Sequence, residues 1–386
     1  LVDEYDKPLL DNIENAEIAA RMRDLLKDFY SPLKEQDGLL QFVFLTGVSK
    51  FSLAAWSSST RSVRPDKVSI FSGINNLSDI TLDENYAEIC GYTHADLETV
   101  FAEHLAGVDW EQLKYWYNGY NFLGEAVYNP FDILLFISEG QRYRNFWFET
   151  GTPTFLVKLM QRNRYFLPDL EDIQAGEELL STFEVESMEV VTLLFQSGYL
   201  TIESSLQQMG ALSFRLRVPN HEVRSALSNA LFTGYTTIHD QRIRHQTAAW
   251  EALRAADLPG LETAIQRMFA AIPWRNFTNN DLAEYEGYYA SVLYAYFASV
   301  TATVIPEDTN NHGQADLTVR MENNIYVMEI KVIPGELPED APNTALQQIQ
   351  ERGYAEKYRS EAGVKLFELG LVFSQKTRNL VQFGYR

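Results

Sequence analysis

An α/β architecture at both ends of the chain, with a helical stretch between them, is predicted by three observations. Leu1-Val2 and Phe42-Val43-Phe44-Leu45 read as buried parallel strands, each ending in polar residues, with a helical pattern from about Ile13 to Phe29 between them. From about residue 156 to 275 the pattern is helical, broken once by a hairpin. An aromatic-rich helix over Asp281 to Val300 then precedes two apolar strands, Ala315 to Arg320 and Ile325 to Val332. A chain of 386 residues exceeds what one core usually organises. The expected segments are 1–155, 156–275 and 276–386.

Hydrophobic residues make up 46% of the chain and charged residues 22%, a mixture that supports packed cores rather than disorder. No apolar run approaches the roughly 18 residues of a membrane helix, and no signal segment opens the chain. A cytoplasmic protein without membrane contact is expected. The single cysteine, Cys90, excludes an intramolecular disulfide and a cysteine-built zinc site. A net charge of −21 argues against coating nucleic acid by charge alone, so any phosphate contact must be local.

At the N-terminus, Asp3 and Glu4 stand at the end of an apolar strand. There a nucleotide-hydrolysing sheet places one acid to hold Mg²⁺ through water and a second to orient the attacking water. Thr46 ends the neighbouring strand and is expected beside them, because ligands of α/β sheets sit at the carboxyl ends of strands. The plainer readings are a solvated helix start and an ordinary strand-end hydroxyl. No Gly-x-x-x-x-Gly-Lys-Ser/Thr phosphate loop occurs in the chain. The chain opens without Met inside what reads as a central strand, so that loop is expected upstream of Leu1. As given, the chain is not expected to hydrolyse ATP.

In the cluster Trp116 to Phe122, core and turn packing is favoured over base stacking, since Asn118-Gly119 marks a tight turn. Tyr128-Asn129-Pro130 reads as a stop followed by a new helix. Tyr199 to Ile202 and Ser213 to Val218 alternate as a hairpin, which within the helical middle suggests a winged-helix-like lid. Arg215 and Arg217 share one strand face and could meet phosphate; a solvated strand face is the commoner explanation. His239 and His245 lack partners at metal-ligand spacing.

The C-terminal strands carry the most chemistry. With Asn323-Asn324 as a two-residue turn, Glu322 faces Ile325 and Asp316 lies opposite Lys331. Glu329 and Lys331 share a face, and cross-strand partners share a face, so Asp316, Glu329 and Lys331 converge. Two carboxylates offer hard oxygen ligands to Mg²⁺ or Mn²⁺, while a lysine stabilises charge on a phosphate or helps orient water. The apolar flanks bury the second strand on both sides, where a lysine beside two acids is costly unless it has a task. A hairpin with a structural Asp–Lys pair is the alternative.

The sequence resembles the bacterial AAA-ATPase-like proteins that carry a C-terminal PD-(D/E)xK nuclease domain. The resemblance rests on Leu1 to Pro8, Phe44 to Ser52, Phe71 to Leu77, Tyr117-Asn118-Gly119-Tyr120, Tyr128 to Phe131 and Phe146 to Pro153. It continues through Glu286 to Val292, Asp316, Glu329-Ile330-Lys331, Gln348-Ile349, Tyr354 and Tyr358. It implies a truncated P-loop ATPase-like parallel-sheet domain, a helical, winged-helix-like middle and a nuclease-like α/β domain. Carried over, Asp3 and Glu4 match the nucleotide-site acids and Thr46 a sensor position, with ATP the cofactor of the full-length protein. Glu286 becomes the helix-borne acid, Asp316 and Glu329 the metal ligands, and Lys331 the catalytic lysine. Gln348 and Tyr354 would steady the site from the following helix. Gln314 departs from the pattern, standing where the family often has arginine.

The expected function is therefore Mg²⁺-dependent cleavage of DNA, coupled to an ATPase-like module. Alternatives are a non-catalytic scaffold that binds nucleotide or nucleic acid, and a metal-independent interaction protein.

Overall fold

The computed structural model describes residues 1–12, 15–47, 52–53, 68–69, 77–146, 154–176, 190–208, 211–273, 286–338 and 340–386. Of the stretches named above, 13–14, 48–51, 71–76, 147–153 and 281–285 lie outside the described residues. The chain divides into two compact units, Leu1–Thr150 with Asp172–Arg224, and Gly151–Glu171 with Ser225–Arg386. No helix among the described residues is long and apolar enough to cross a membrane.

In the first unit, helix Ala16–Tyr30 starts where the Asn15 side chain accepts the Ile18 N–H at 3.1 Å, a capped start that satisfies one of the helix's free donors. Val2 and Leu45 form a parallel bridge, flanked by Val2 N–H to Phe44 O at 2.9 Å and Thr46 N–H to Val2 O at 2.8 Å. The expectation of a buried strand at Phe42 to Leu45 is corrected here: Phe42 is 73% exposed. A parallel strand is buried only where elements cover both its faces, and this run has a single bridge among the described residues.

The aromatic cluster is core. Tyr117 and Tyr128 are wholly buried with Leu113, Ile133, Phe136 and Phe146. Gly119 has φ +134°, and a Cβ there would sit 2.0 Å from the Pro219 carbonyl oxygen, so the strand Asn118–Tyr120 admits only glycine at that point. Asn129 caps helix Pro130–Ser138 by accepting the Phe131 N–H at 2.9 Å. The predicted hairpin forms from Thr201–Gln208 and Ala211–Arg217, and Ile173–Gly176, unforeseen, adds a third antiparallel strand to it. Arg215 lies 3.2 Å from both Asp172 and Glu203, and Arg217 donates to the Pro219 carbonyl. Both arginines are thus engaged within their own unit, as on a solvated strand face.

The second unit ends in the elements that position the site. Helix α1 (Glu286–Ala298) is buried from Tyr288 to Ala298, apolar on every side as a central helix must be. It is followed by β1 (Thr303–Asn310), β2 (Gly313–Met321), β3 (Asn324–Ile333), helix α2 (Thr344–Arg352), β4 (Lys365–Ser374) and β5 (Asn379–Tyr385). The five strands form one mixed sheet in the order β5-β4-β3-β2-β1, parallel between β3 and β4 and antiparallel elsewhere. Strand β3 is central, and its residues from Asn324 to Ile330 are buried.

The β2–β3 register differs from the one expected. Met321 pairs with Asn324 and Leu317 with Met328, so the turn is Glu322-Asn323 and the frame moves by two residues. Glu322 accepts φ +52° to make that turn. Because side chains alternate with period two, a two-residue slip keeps every residue on its face, and the predicted convergence survives the wrong register.

Candidate active site

Asp316 sits where β2 and β3 cease to pair. The last paired residues are Leu317 and Met328, and beyond them the Asp316 carboxylate accepts the Ile330 N–H through Oδ2 at 2.7 Å. A side-chain acceptor thus replaces a ladder carbonyl, so the splayed strands keep their buried donor satisfied.

On β3, Glu329 is 2% exposed, and its Oε1 accepts hydrogen bonds from Lys331 Nζ at 2.7 Å and from Gln348 Nε2. Its other oxygen, Oε2, is buried without a hydrogen-bond partner among the described residues. Lys331 keeps about a third of its side chain open (33%), so it is less buried than the apolar flanks predicted. Gln348 also donates to the Tyr354 hydroxyl at 3.2 Å, which links α2 and the residue just past its end to the acids on the sheet.

The seating of α2 follows from its N-terminus. Asn343 caps the helix by accepting the Leu346 N–H at 2.8 Å, and its Nδ2 donates to the Gly370 carbonyl of β4 at 2.9 Å. Gly370 permits this approach, since a Cβ there would lie 2.3 Å from the Leu346 nitrogen. Ala345 and Ile349 face the core. Thr344, Gln347, Gln348, Glu351 and Arg352, spaced by three and four residues, present the opposite polar face. That face walls a cleft of about 710 Å³, with Glu286, Asp316, Glu329 and Lys331 also lining it.

The electrostatics follow from crowding acids in a partly dry site. Burial raises Glu329 to about 7, and the neighbouring Asp316 adds to the rise while Lys331 opposes it. Asp316 is likewise raised by burial, against the Ile330 hydrogen bond and Lys331, with Glu286 and Glu307 pushing it further up. For Lys331, desolvation pulls down, but its bond to Glu329 and the surrounding acids leave it above its ordinary value.

The structure therefore brings together Asp316, Glu329, Lys331, Gln348 and Tyr354, with Glu286 on the wall of the same cleft. Asp3 and Thr46 meet in the first unit, where the Thr46 hydroxyl donates to Asp3 Oδ1. Glu4, beside them, has φ +52°. Glu307 was passed over in the sequence. The pairs Pro306 with Leu317 and Asp308 with Ala315 bracket Glu307 and Asp316 across β1 and β2, so only the register reveals it as a neighbour of the site. Arg352 was legible as the residue four beyond Gln348 on one helix face, but its position on the cleft wall needed the seating of α2.

A family model described as the PD-(D/E)XK nuclease superfamily matches residues 284–383, the stretch that holds α1, α2 and nearly all of the mixed sheet. A second family model, described as "Predicted AAA-ATPase", matches residues 1–55. A relative from Azotobacter chroococcum mcd 1, described as "Uncharacterized protein in vnfD 5'region", is 46% identical over 385 residues, covering 99% of this chain and 70% of its own. The chain belongs to the family of AAA-ATPase-like proteins with a C-terminal PD-(D/E)XK nuclease superfamily domain. No solved structure matches it.

Proposed function

We propose that the C-terminal module, residues 276–386, hydrolyses phosphodiester bonds of DNA with the help of a divalent cation, Mg²⁺ or Mn²⁺. The observation that carries this reading is the buried, unpartnered Oε2 of Glu329 beside the carboxylate of Asp316, in a cleft that also holds Lys331. A buried carboxylate oxygen without a donor is costly, and a hard cation is the partner that oxygen ligands suit. Among the described residues no three His, Cys, Asp or Glu side chains form a group able to hold a metal. Asp316 and Glu329 would therefore act as a pair, leaving the remaining positions to water and substrate, as is usual for Mg²⁺.

When bound, such a cation supplies Lewis-acid stabilisation of charge developing on the phosphate. In the reaction, a water oxygen bonds to phosphorus and gives up a proton to solvent, one P–O ester bond breaks, and the leaving oxygen takes up a proton from solvent. Lys331, 2.7 Å from Glu329, is placed to orient that water or to neutralise phosphate charge. Gln348 holds Glu329 from the side of α2, and Tyr354 holds Gln348. Glu286 adds a carboxylate to the wall.

For the first unit we propose that Asp3, Glu4 and Thr46 belong to a nucleotide site, on the strength of the Thr46–Asp3 hydrogen bond next to the Val2–Leu45 bridge. These residues supply no phosphate cradle, and no phosphate-loop motif stands in the 386 residues, so the proposal covers nucleotide binding and not ATP hydrolysis. The lone Cys90 favours a reducing compartment, and we place the protein in the cytoplasm on that ground.

A second reading, a non-catalytic scaffold that binds nucleotide or nucleic acid, is favoured by one observation: acids outnumber cations along the cleft, and Gln314 brings no charge to it. The deciding experiment measures cleavage of plasmid and single-stranded DNA with Mg²⁺ or Mn²⁺, comparing wild type with Asp316→Ala and Lys331→Ala. Cleavage by wild type that both variants lose supports the nuclease. No cleavage with either metal favours the scaffold.

A further inference from the structure

A cleft built from acids is poorly suited to a polyanion until its charge is offset. Its lining includes Glu286, Asp316, Glu329 and Glu351 against two permanent cations, Lys331 and Arg352. The Lys331 ammonium is engaged with Glu329 at 2.7 Å. Four cations elsewhere in the module are engaged in the same way, Arg320 with Glu361, Lys357 with Asp308, Arg359 with Glu368 and Lys376 with Glu336, and Lys365, Arg378 and Arg386 do not line the cleft. Arg352 is exposed, and its side chain makes no hydrogen bond or ion pair among the described residues. With a net charge of −21 the chain has no general surplus of cations to attract phosphate, so capture must fall to specific side chains.

The placement of Arg352 suits that task. It follows Gln348 by four residues on the face of α2 that walls the cleft, about 6 Å farther along the helix axis. Gly353, with φ +59°, ends the helix immediately after it. A guanidinium presents a planar fork of donors that matches phosphate oxygens in pairs, and it stays charged at every relevant pH.

We propose that Arg352 is the substrate-positioning residue of this cleft, holding the phosphate next to the scissile one in a nucleic acid strand. The proposal rests on the nuclease reading and adds to it the group that offsets the acids, a charge Gln314 does not provide. A cation at a helix C-terminus is also favoured by the helix dipole alone, and that plainer account predicts no effect on substrate.

The test titrates labelled duplex and single-stranded DNA against wild type, Arg352→Gln and Arg352→Lys in Ca²⁺ over a range of salt, with KM and kcat measured in Mg²⁺. The expected result is a roughly tenfold weaker Kd for Arg352→Gln, a salt slope shallower by about one, and a rise in KM larger than the fall in kcat. Arg352→Lys should fall between the two. Wild-type binding with an unchanged Kd and slope in Arg352→Gln overturns the role of Arg352 and leaves the nuclease reading standing. Wild type that neither binds nor cleaves DNA overturns both. Arg352 is exposed, so the thermal transition of Arg352→Gln should match wild type; if that variant unfolds, Arg352→Lys decides by the same criteria.

Discussion

Asp316 and Ile330 are joined by a hydrogen bond from main chain to carboxylate at 2.7 Å, at the point where β2 and β3 stop pairing. The bond leaves Asp316 with one oxygen free of this contact, in the cleft it shares with Glu329. It also makes the site sensitive to changes that would close the splayed strands.

Metal binding should follow the protonation of Glu329. Its native value of about 7 lies above the ordinary 4.5, so without metal its contribution to stability is fully present below 4.5 and is lost as pH rises through 7. Over the same window, affinity for Mg²⁺ or Mn²⁺ should rise by up to about tenfold per pH unit, because the ligand must be deprotonated. Calorimetric titration from pH 5 to 8 measures this, and Glu329→Gln should abolish the dependence along with the binding.

Gln348→Ala should lower kcat by about 10- to 100-fold with a smaller change in KM, because Gln348 orients Glu329 from behind. Tyr354→Phe should cost less, since it removes only the 3.2 Å contact to Gln348. Steady-state kinetics of the two variants would give this order; equal losses would mean that Tyr354 acts on its own account.

Gly370→Ala should destabilise the second unit by about 2 kcal/mol or more. The added methyl would meet the Leu346 nitrogen at 2.3 Å and the Asn343 side chain at 2.4 Å, which expels the cap that seats α2. Urea unfolding reads the cost. Gly335→Ala, with nothing within 4 Å of its added Cβ, serves as the control.

In the first unit, Asp132 and Glu222 are both fully buried, and Asp132 is raised to about 9 by burial and by the neighbouring Glu222 carboxylate. Stability from this raised group is present below its ordinary 3.8 and is lost as pH rises through 9. Asp132→Asn, which cannot ionise, should therefore gain stability relative to wild type as pH rises from 5 to 9. Thermal melts across that range check the sign of the difference.

Much of this protein is determined by local pattern. Alternation along Ile325 to Val332, the Glu-x-Lys spacing and the Asn323 turn region were enough to put Asp316, Glu329 and Lys331 on one face, because strand periodicity depends only on position. The helix start after Asn129 and the core packing of Tyr117 were legible for the same local reasons, whereas the cap at Asn15, two residues past the expected helix start, was not.

Tertiary structure decided what depends on distant partners. The β2–β3 register turned on Glu322 taking a left-handed conformation, which a residue's identity does not announce. Phe42 is exposed because burial is a property of neighbours, and Arg215 is paired at the surface with Asp172, 43 positions away in the chain. The nearness of Glu307 to Asp316 and of Arg352 to the cleft arises where separate elements pack. The sequence alone thus determined the face that carries Asp316, Glu329 and Lys331, while the packing of α2 and β1 against it decided which further charges that face meets.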